Sequence, residues 1–365
     1  MKRWLLAIML LLLLLTGGCD FKDIDRRIFV VAIGVDSGEK EGHFKISLKL
    51  ALPQGEITKM DEKVQILTEE SFSISEAVRR MKSRVEKELD FVHCKSIILG
   101  ETLAQNDIRH IMDWAVRRRD LQLILHFAVG RPDALKVLQI KPQSERIPSN
   151  SLIMAMSGQG TESPFISKVF SYQLMRNIYE KGLDPILPII EARGQDEFVI
   201  NKIALFDKHR IRETLTPNET RLFNLLSRPN LRTNLPAFYK GEMYQYYTER
   251  STSSYRIFNH GNGEPTLRYK IKIKGILEES GNEDIVTQSL LKEIGAAGEE
   301  ELRKKVHALL RKIQASHQDP LGWGLRYGAR HFNNRTEMED WADLYAKLRF
   351  QVDVQVNIKY SGITK

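Results

Sequence analysis

The feature that most restricts the fold of this 365-residue chain is an alternation near its C-terminus. Over residues 348–359, apolar side chains from Leu348 to Ile358 take every second position, and polar or charged side chains fill the positions between. Side chains of a strand point alternately to the two faces of a sheet, so this strand has one buried and one wet face. Because a doubly wound parallel sheet is buried on both faces, the pattern favours an antiparallel or mixed sheet.

A second alternation covers residues 267–274. Leu267, Tyr269, Ile271 and Ile273 are apolar, whereas every residue between them is Arg or Lys. The pattern predicts a half-exposed strand whose outer face is basic. We expect this face to be solvated, and an orientation towards anionic lipid headgroups is the alternative that stays open.

Further strands and helices alternate irregularly along the chain. Residues 27–36 and 45–52, joined by a turn-like segment, predict a hairpin, and residues 63–69 predict a third strand. An apolar stripe predicts a helix over residues 73–89, which begins with a capping box between Ser73 and Glu76. Residues 163–181 predict another helix. Pro185 and Pro188 make residues 183–191 an irregular edge strand.

The N-terminus is typical of a secretory leader that ends at a cysteine. Two basic residues precede an apolar run over residues 4–16, and Gly17, Gly18 and Cys19 follow. The run is shorter than the roughly 20 residues that span a bilayer. We predict that residues 1–18 are a lipoprotein signal peptide and that the Cys19 thiol carries a diacylglycerol. An N-acyl lipid on Cys19 is left open, and an uncleaved signal anchor is the less favoured alternative.

These patterns together predict an α+β fold, with mixed or antiparallel sheets and packed helices in two or three subdomains after the signal peptide. We assign residues 19–194 to an N-terminal domain and residues 195–365 to a C-terminal domain. The net charge of +8 comes from dispersed basic residues, which argues against nucleic-acid binding. Once Cys19 is acylated, Cys94 stands alone, so we expect a buried core thiol and no disulfide.

Motifs for chemistry are scarce. The sequence contains no nucleophile elbow, phosphate-binding loop, zinc-protease motif or paired C-x-x-C. The nine histidines are scattered, and no two have metal-ligand spacing on one element. We therefore predict no catalytic residues, no metal site and no cofactor, and we predict that the protein is not an enzyme.

The densest unusual segment covers residues 319–331. Asp319 followed by a proline is typical of a helix start, and Gly322 and Gly324 flank Trp323. We expect these residues to pack a helix closely on a sheet, with Trp341 in the same cluster. A turn that faces a ligand or partner is the alternative.

Several short motifs follow one another in a characteristic order and spacing after Cys19. They are Asp23-Ile24, Phe29 to Asp36, Ser75 to Ala77, His93 with Ile97 to Glu101, Leu103-Ala104, Arg117 to Asp120, Asp319 to Gly324, Trp341 and the last strand with its tail to Lys365. Together they resemble the Ger(x)C family, the C-subunit lipoproteins of spore germinant receptors, over nearly the whole chain. One departure stands directly after Cys19, where Asp20-Phe21 replaces the tryptophan usual in the family.

This resemblance implies a non-enzymatic subunit that is lipid-anchored on the outer face of the inner spore membrane. It also implies assembly with an A-type polytopic subunit and a transporter-like B-type subunit, and an α+β fold of small mixed sheets. Only Cys19 takes a defined chemical role from the family. A lipid-anchored solute-binding protein of an importer is the alternative class, although such proteins need two α/β lobes with a ligand cleft. A cell-surface hydrolase is a third class, weakened by the absent motifs.

Overall fold

The computed structural model describes residue 4 and residues 23–51, 64–142, 148–157, 162–258, 264–280, 287–331 and 336–359. Two sheets with packed helices account for nearly all of these residues. Both sheets contain parallel and antiparallel pairs, which confirms the predicted α+β class and the predicted mixed sheets. No helix within the described ranges has the length and apolarity needed to cross a membrane.

The first sheet has four parallel strands at its centre and antiparallel strands on both sides. Its order is β3-β2-β1-β5-β6-β7-β8-β9, with the short β4 paired beside the start of β1. The predicted N-terminal hairpin is confirmed by the antiparallel pairing of the first two strands. The nine strands are β1 (Arg27–Ser37), β2 (Phe44–Ala51), β3 (Val64–Ser71), β4 (Glu88–Asp90), β5 (Ser96–Gly100), β6 (His126–Arg131), β7 (Ile186–Arg193), β8 (Glu197–Phe206) and β9 (Ile211–Leu215).

Helices cover both faces of this sheet. Alternate residues of β5 enter different cores: Ile97 and Leu99 belong to one, and Ile98 belongs to the other. Helices α1, α3 and α6 pack into the first core, whereas α4 and α5 pack into the second. These helices and the short α2 are α1 (Ile74–Lys82), α2 (Glu101–Ala104), α3 (Arg109–Arg117), α4 (Ala134–Gln139), α5 (Pro148–Ser157) and α6 (Ser171–Tyr179).

Within the described ranges, helices cover one face of the second sheet. Its order is β10-β11-β12-β13, and the last pair is parallel while the others are antiparallel. Apolar residues of the strands and of α7 to α10 form one core beneath it. The elements are α7 (Pro217–Ser227), β10 (Asn234–Tyr239), β11 (Glu242–Phe258), β12 (Thr266–Glu279), α8 (Gln288–Ala315), α9 (Trp323–Arg330), α10 (Glu337–Ala346) and β13 (Arg349–Lys359).

Three local predictions were wrong in their extent or placement. The helix predicted over residues 73–89 ends at Lys82, because Leu89 belongs to β4 and pairs with β1. The helix predicted over residues 163–181 begins only at Ser171. The strand predicted at a sheet edge is β7, which lies between β6 and β8. Its Pro188 is tolerated because the ladder with β6 begins one residue later, at Ile189.

The boundary that the sequence suggested at residue 194 falls in the turn between β7 and β8. Gly194 occupies this turn with φ of +64°. Since β7 and β8 pair over their whole lengths, the first sheet also includes β8 and β9. The division of the chain into domains 19–194 and 195–365 therefore stays a prediction. The strands of the first sheet end with β9, and those of the second sheet begin with β10.

The motif at the end of β1 holds a helix of the first sheet in place. The Asp36 carboxylate accepts hydrogen bonds from the backbone N–H groups of Ala134 (2.7 Å) and Leu135 (3.0 Å), at the start of α4. A Cβ atom on Gly100 would lie 2.0 Å from the Asp36 carboxylate, so only glycine fits beside it. Asp36 and Gly100, which both belong to motifs noted in the sequence, thus position α4 against the first sheet.

Candidate functional site

Cys19, the predicted lipidation site, lies outside the described residues, and its modification stays a prediction. The described chain resumes at Asp23, whose side chain caps the 3-10 turn Ile24–Arg26. Seven residues (20–26) separate Cys19 from Arg27, the first residue of β1. An extended chain covers at most about 3.6 Å per residue, so the Cys19 Cα lies within about 29 Å of β1.

The described part of the chain brings together all five C-terminal site residues predicted from the sequence. Trp323 is fully buried, and its indole Nε1–H donates a hydrogen bond of 2.8 Å to the Tyr269 hydroxyl on β12. Trp341 joins the cluster through Gly324, where a Cβ atom would lie 2.3 Å from the Trp341 Nε1. Gly322 rather than Asp319 is the N-cap residue of α9, in the left-handed conformation.

These residues form one side of a contact that connects the two sheets. We call this contact the joint: residues 182–184, which lead into β7, meet residues 319–325, which include the first turn of α9. The Leu325 N–H donates to the Gly182 carbonyl (2.8 Å) and the Asp184 N–H donates to the Asp319 carbonyl (2.9 Å). The Asp319 N–H in turn donates to the Asp184 carboxylate (2.6 Å). Three hydrogen bonds thus link segments that are far apart in the sequence.

The absence of a side chain at Gly182 allows the two backbones to meet. Its φ is +73°, and a Cβ atom there would lie 2.5 Å from the carbonyl carbon of Gly324. On the other side of the contact, a Cβ atom on Gly322 would lie 3.2 Å from the Leu183 side chain. Backbone therefore packs on backbone at the joint, which leaves little room for sliding.

Asp319 is the electrostatic centre of the joint. Its carboxylate accepts hydrogen bonds from the N–H groups of Trp323 (3.0 Å) and Gly324 (2.6 Å), at the positive end of α9. Burial nevertheless raises the pKa of the Asp319 carboxyl to about 7, and the nearby Asp184 adds to this rise. Because the side chain is 4% exposed and both oxygens accept backbone hydrogen bonds, the arrangement suits a helix cap rather than acid–base catalysis.

Lys208 closes the joint on the side of the first sheet. Its ammonium donates to the carbonyls of Asn177 (2.7 Å) and Glu180 (2.7 Å), at the C-terminal end of α6. It also lies 3.1 Å from the Asp184 carboxylate. A single cation thus ties a helix end, the turn after β8 and the joint together.

Sequence patterns did not point to Gly182, Asp184 or Lys208. Each of these residues acts through a partner remote in sequence; Asp184 and Asp319, for example, are 135 residues apart. An isolated glycine after a predicted helix was the only available signal, and it is typical of any helix end. The contacts of the joint follow from the packing of the two sheets.

Other candidate groups do not form a reactive site within the described residues. Cys94 is a free and fully buried cysteine, and burial raises the pKa of its thiol to about 12. A thiol in this state is neither a nucleophile nor a metal ligand at neutral pH. Among the residues that the structure covers, no three His, Cys, Asp or Glu side chains are grouped to hold a metal ion.

Two family models match the chain in succession. The model described as spore germination protein N-terminal domain matches residues 20–192. The model described as spore germination B3/GerAC like, C-terminal, matches residues 201–362. Together they cover almost all of the chain after the predicted leader.

Individual relatives agree with the family models. The chain is 22% identical to the putative spore germination protein YfkR of Bacillus subtilis, over 97% of this chain and 95% of that protein. It is 22% identical to spore germination protein GerQC of Bacillus cereus, over the whole length of both. Among solved structures, the GerBC protein has the same fold, with a TM-score of 0.60 at 15% identity, over 93% of this chain and 99% of that chain.

Proposed function

Because the chain belongs to the Ger(x)C family of spore germination proteins, we propose that it is the C subunit of a nutrient germinant receptor. It assembles with an A-type and a B-type membrane subunit, and it is required for the germination response to nutrients. The observation that carries this proposal is the ordered match of both halves of the chain to the two spore germination domains. The common fold with the GerBC protein over 93% of the chain supports it.

The proposal includes a lipid anchor on Cys19, on the outer face of the inner spore membrane. The leader and the two glycines before Cys19 support the anchor, since they fit a cleaved lipoprotein signal. Two or more acyl chains hold a protein stably at a bilayer, whereas one chain gives marginal binding. The tether of seven residues then keeps β1 close to the membrane.

In this receptor the protein acts by contact and not by catalysis. The joint supports such a role, because it fixes the two sheets relative to each other through backbone packing and three hydrogen bonds. A load applied to one sheet by a membrane subunit is transmitted to the other as a rigid-body displacement. This role requires neither a reactive thiol nor a free carboxylate.

The test is deletion of the gene in the spore-forming host. Spore germination is followed against a panel of single nutrients, with vegetative growth as the control. The proposal predicts that the response to particular nutrients is lost while growth is normal. Normal germination together with impaired uptake of one solute would instead identify a lipid-anchored binding protein of an importer.

A further inference from the structure

The outer face of the second sheet is exposed and basic. Along β12, Arg268, Lys270, Lys272 and Lys274 are exposed, while the residues between them are buried against the core. On the neighbouring β11, Arg250 and Arg256 are exposed on the same face. We call these six side chains the basic sheet face. Alternate residues of a strand are about 6.7 Å apart, so four rows of this face extend over about 20 Å.

Few carboxylates lie within these four rows, and the exposed Glu249 precedes Arg250 at a bulge of β11 just outside them. Between the row of Arg256 and Arg268 and the row of Arg250 and Lys274, the described parts of β11, β12 and β13 place one carboxylate, Asp353, on this face. Asp353 is exposed, lies 3.8 Å from Arg268 and stands directly opposite Lys270 in the pairing of β12 with β13. Five cations of the basic sheet face therefore remain without an ion pair among the described residues.

The arrangement of the cations brings like charges face to face. Arg250 lies directly opposite Lys274, and Arg256 lies directly opposite Arg268. Like charges in direct cross-strand pairs repel each other and weaken a sheet. Anions bound above these pairs would relieve the repulsion. The remaining positions of the rows carry hydroxyl and amide side chains, including Thr252, Ser254 and Gln355, which can bind phosphate oxygens.

The shape of the surface indicates what kind of partner fits. Helices α7 to α10 pack on the other side of the sheet, so the basic rows stand on the face that these helices leave uncovered. At the end of the β10–β11 hairpin, seven residues before Arg250 on β11, Met243 forms a cross-strand pair with Phe238, and the two are 42% and 54% exposed. Exposed apolar side chains combined with a polybasic surface are used by proteins that lie in the membrane interface.

We propose that the basic sheet face binds the anionic headgroups of the membrane that carries the protein. This inference rests on the proposed lipid anchor for its location, because a short tether keeps the folded chain near a negatively charged surface. An acyl anchor combined with a polybasic surface gives more stable attachment than either signal alone. The second contact also sets which side of the second sheet faces the bilayer, and hence which side is free for other subunits.

The test measures vesicle binding by a chain that lacks the acyl anchor. The chain from Cys19 onwards, with Cys19→Ser, keeps every residue that forms the three cores. Its co-sedimentation is measured with vesicles of phosphatidylcholine, with and without phosphatidylglycerol. Each basic residue near an anionic surface adds about fivefold to the affinity, so Lys270→Glu with Lys272→Glu should weaken binding at least tenfold.

A control variant with the same charge change is Arg79→Glu with Arg119→Glu. Both residues are exposed, and they lie on helices or turns packed with the first sheet. We expect the affinity of this variant for phosphatidylglycerol vesicles to lie within about twofold of that of the unsubstituted chain. Raised salt should weaken the vesicle binding of both proteins. Circular dichroism and the melting temperature show whether each variant is folded.

Three results would overturn the proposal. They are equal binding to neutral and anionic vesicles, equal loss in the two double variants, and no binding of the unsubstituted chain at low salt. If the vesicles are not bound but Lys270→Glu with Lys272→Glu blocks germination in spores, the face serves an acidic protein partner instead. If the chain binds anionic vesicles as expected but deletion of the gene leaves germination intact, only the assignment as a receptor subunit is refuted.

Discussion

Replacing Gly182 with alanine is the sharpest test of the joint. The substitution adds one Cβ atom at a φ of +73°, and this atom would lie 2.5 Å from the Gly324 carbonyl carbon and 2.6 Å from the Leu325 nitrogen. The left-handed conformation costs a non-glycine residue about 1–2 kcal/mol. Moving two backbones apart adds about 1–3 kcal/mol of overpacking. We therefore expect Gly182→Ala to lower the free energy of unfolding by about 2–5 kcal/mol.

Gly42 provides a matched control. It has the same φ of +73°, but nothing lies within 4 Å of the position where its Cβ atom would stand. Gly42→Ala should therefore show the conformational cost alone, about 1–2 kcal/mol. The difference between the two variants isolates the contact between the two segments of the joint.

The assay is urea unfolding followed by far-UV circular dichroism and by tryptophan fluorescence. Trp323 belongs to the joint and Trp341 packs against Gly324, so two of the four tryptophans of the chain report on this region. Gly182→Ala should lower the urea midpoint more than Gly42→Ala, without a change of the slope m. Equal losses in the two variants would refute close backbone packing at Gly182, because only the conformational cost would then have been measured.

Three further predictions concern Asp319, Cys94 and Cys19. The pKa of Asp319 is raised to about 7 in the folded chain, so the folded state binds the proton more tightly than the unfolded state, and stability from this group falls as the pH rises from about 4 to 7. Asp319→Asn should flatten this part of the curve in urea unfolding at a series of pH values, and an unchanged slope would contradict the assignment. Cys94 should resist iodoacetamide in the native chain and react after unfolding, as mass spectrometry can check. Cys19→Ala should move the protein from the membrane fraction to the soluble fraction in a high-salt wash, and an unchanged membrane fraction would refute the anchor.

Elements with strong local signals were predictable from the sequence. The hairpin strands β1 and β2 lie within one residue of their predicted bounds, and α1 begins after the predicted cap residue Ser73, whose side chain accepts a hydrogen bond from the Glu76 N–H. The alternation of β12 and β13 correctly gave one buried and one exposed face. In each case the deciding information lies within about ten neighbouring residues, which is why propensity and periodicity suffice.

Elements set by remote partners were not predictable. The 17-residue β11 was missed because its middle, from Thr248 to Ser254, is polar and lacks alternation. It is a strand because it pairs with β10 and β12 along its length. Likewise, Leu89 continues a helical stripe in the sequence, but pairing with β1 places it in a strand. Tertiary pairing decides such segments, and a single sequence does not record it.

The C-terminal cluster was predictable in part. Glycines around Trp323 indicated close packing, and the structure places Trp323 against Tyr269 and Trp341 against Gly324. The identity of the opposite segment was not available, because Gly182 and Asp184 carry no motif of their own. Close packing of residues 319–325 could thus be inferred from local composition, whereas their contact with residues 182–184 became visible only in the structure.

The most direct test of the account is complementation of the deletion strain. Spores that lack the gene receive either the unsubstituted gene or the Cys19→Ala variant, and germination with single nutrients and the membrane fraction are measured together. The account predicts that the unsubstituted gene restores the nutrient response and that its product stays in the membrane fraction after a high-salt wash. Cys19→Ala restores little and is released by the same wash, because salt screens binding through charge alone. Full germination in the deletion strain, or full rescue by Cys19→Ala, would contradict a lipid-anchored germinant receptor subunit.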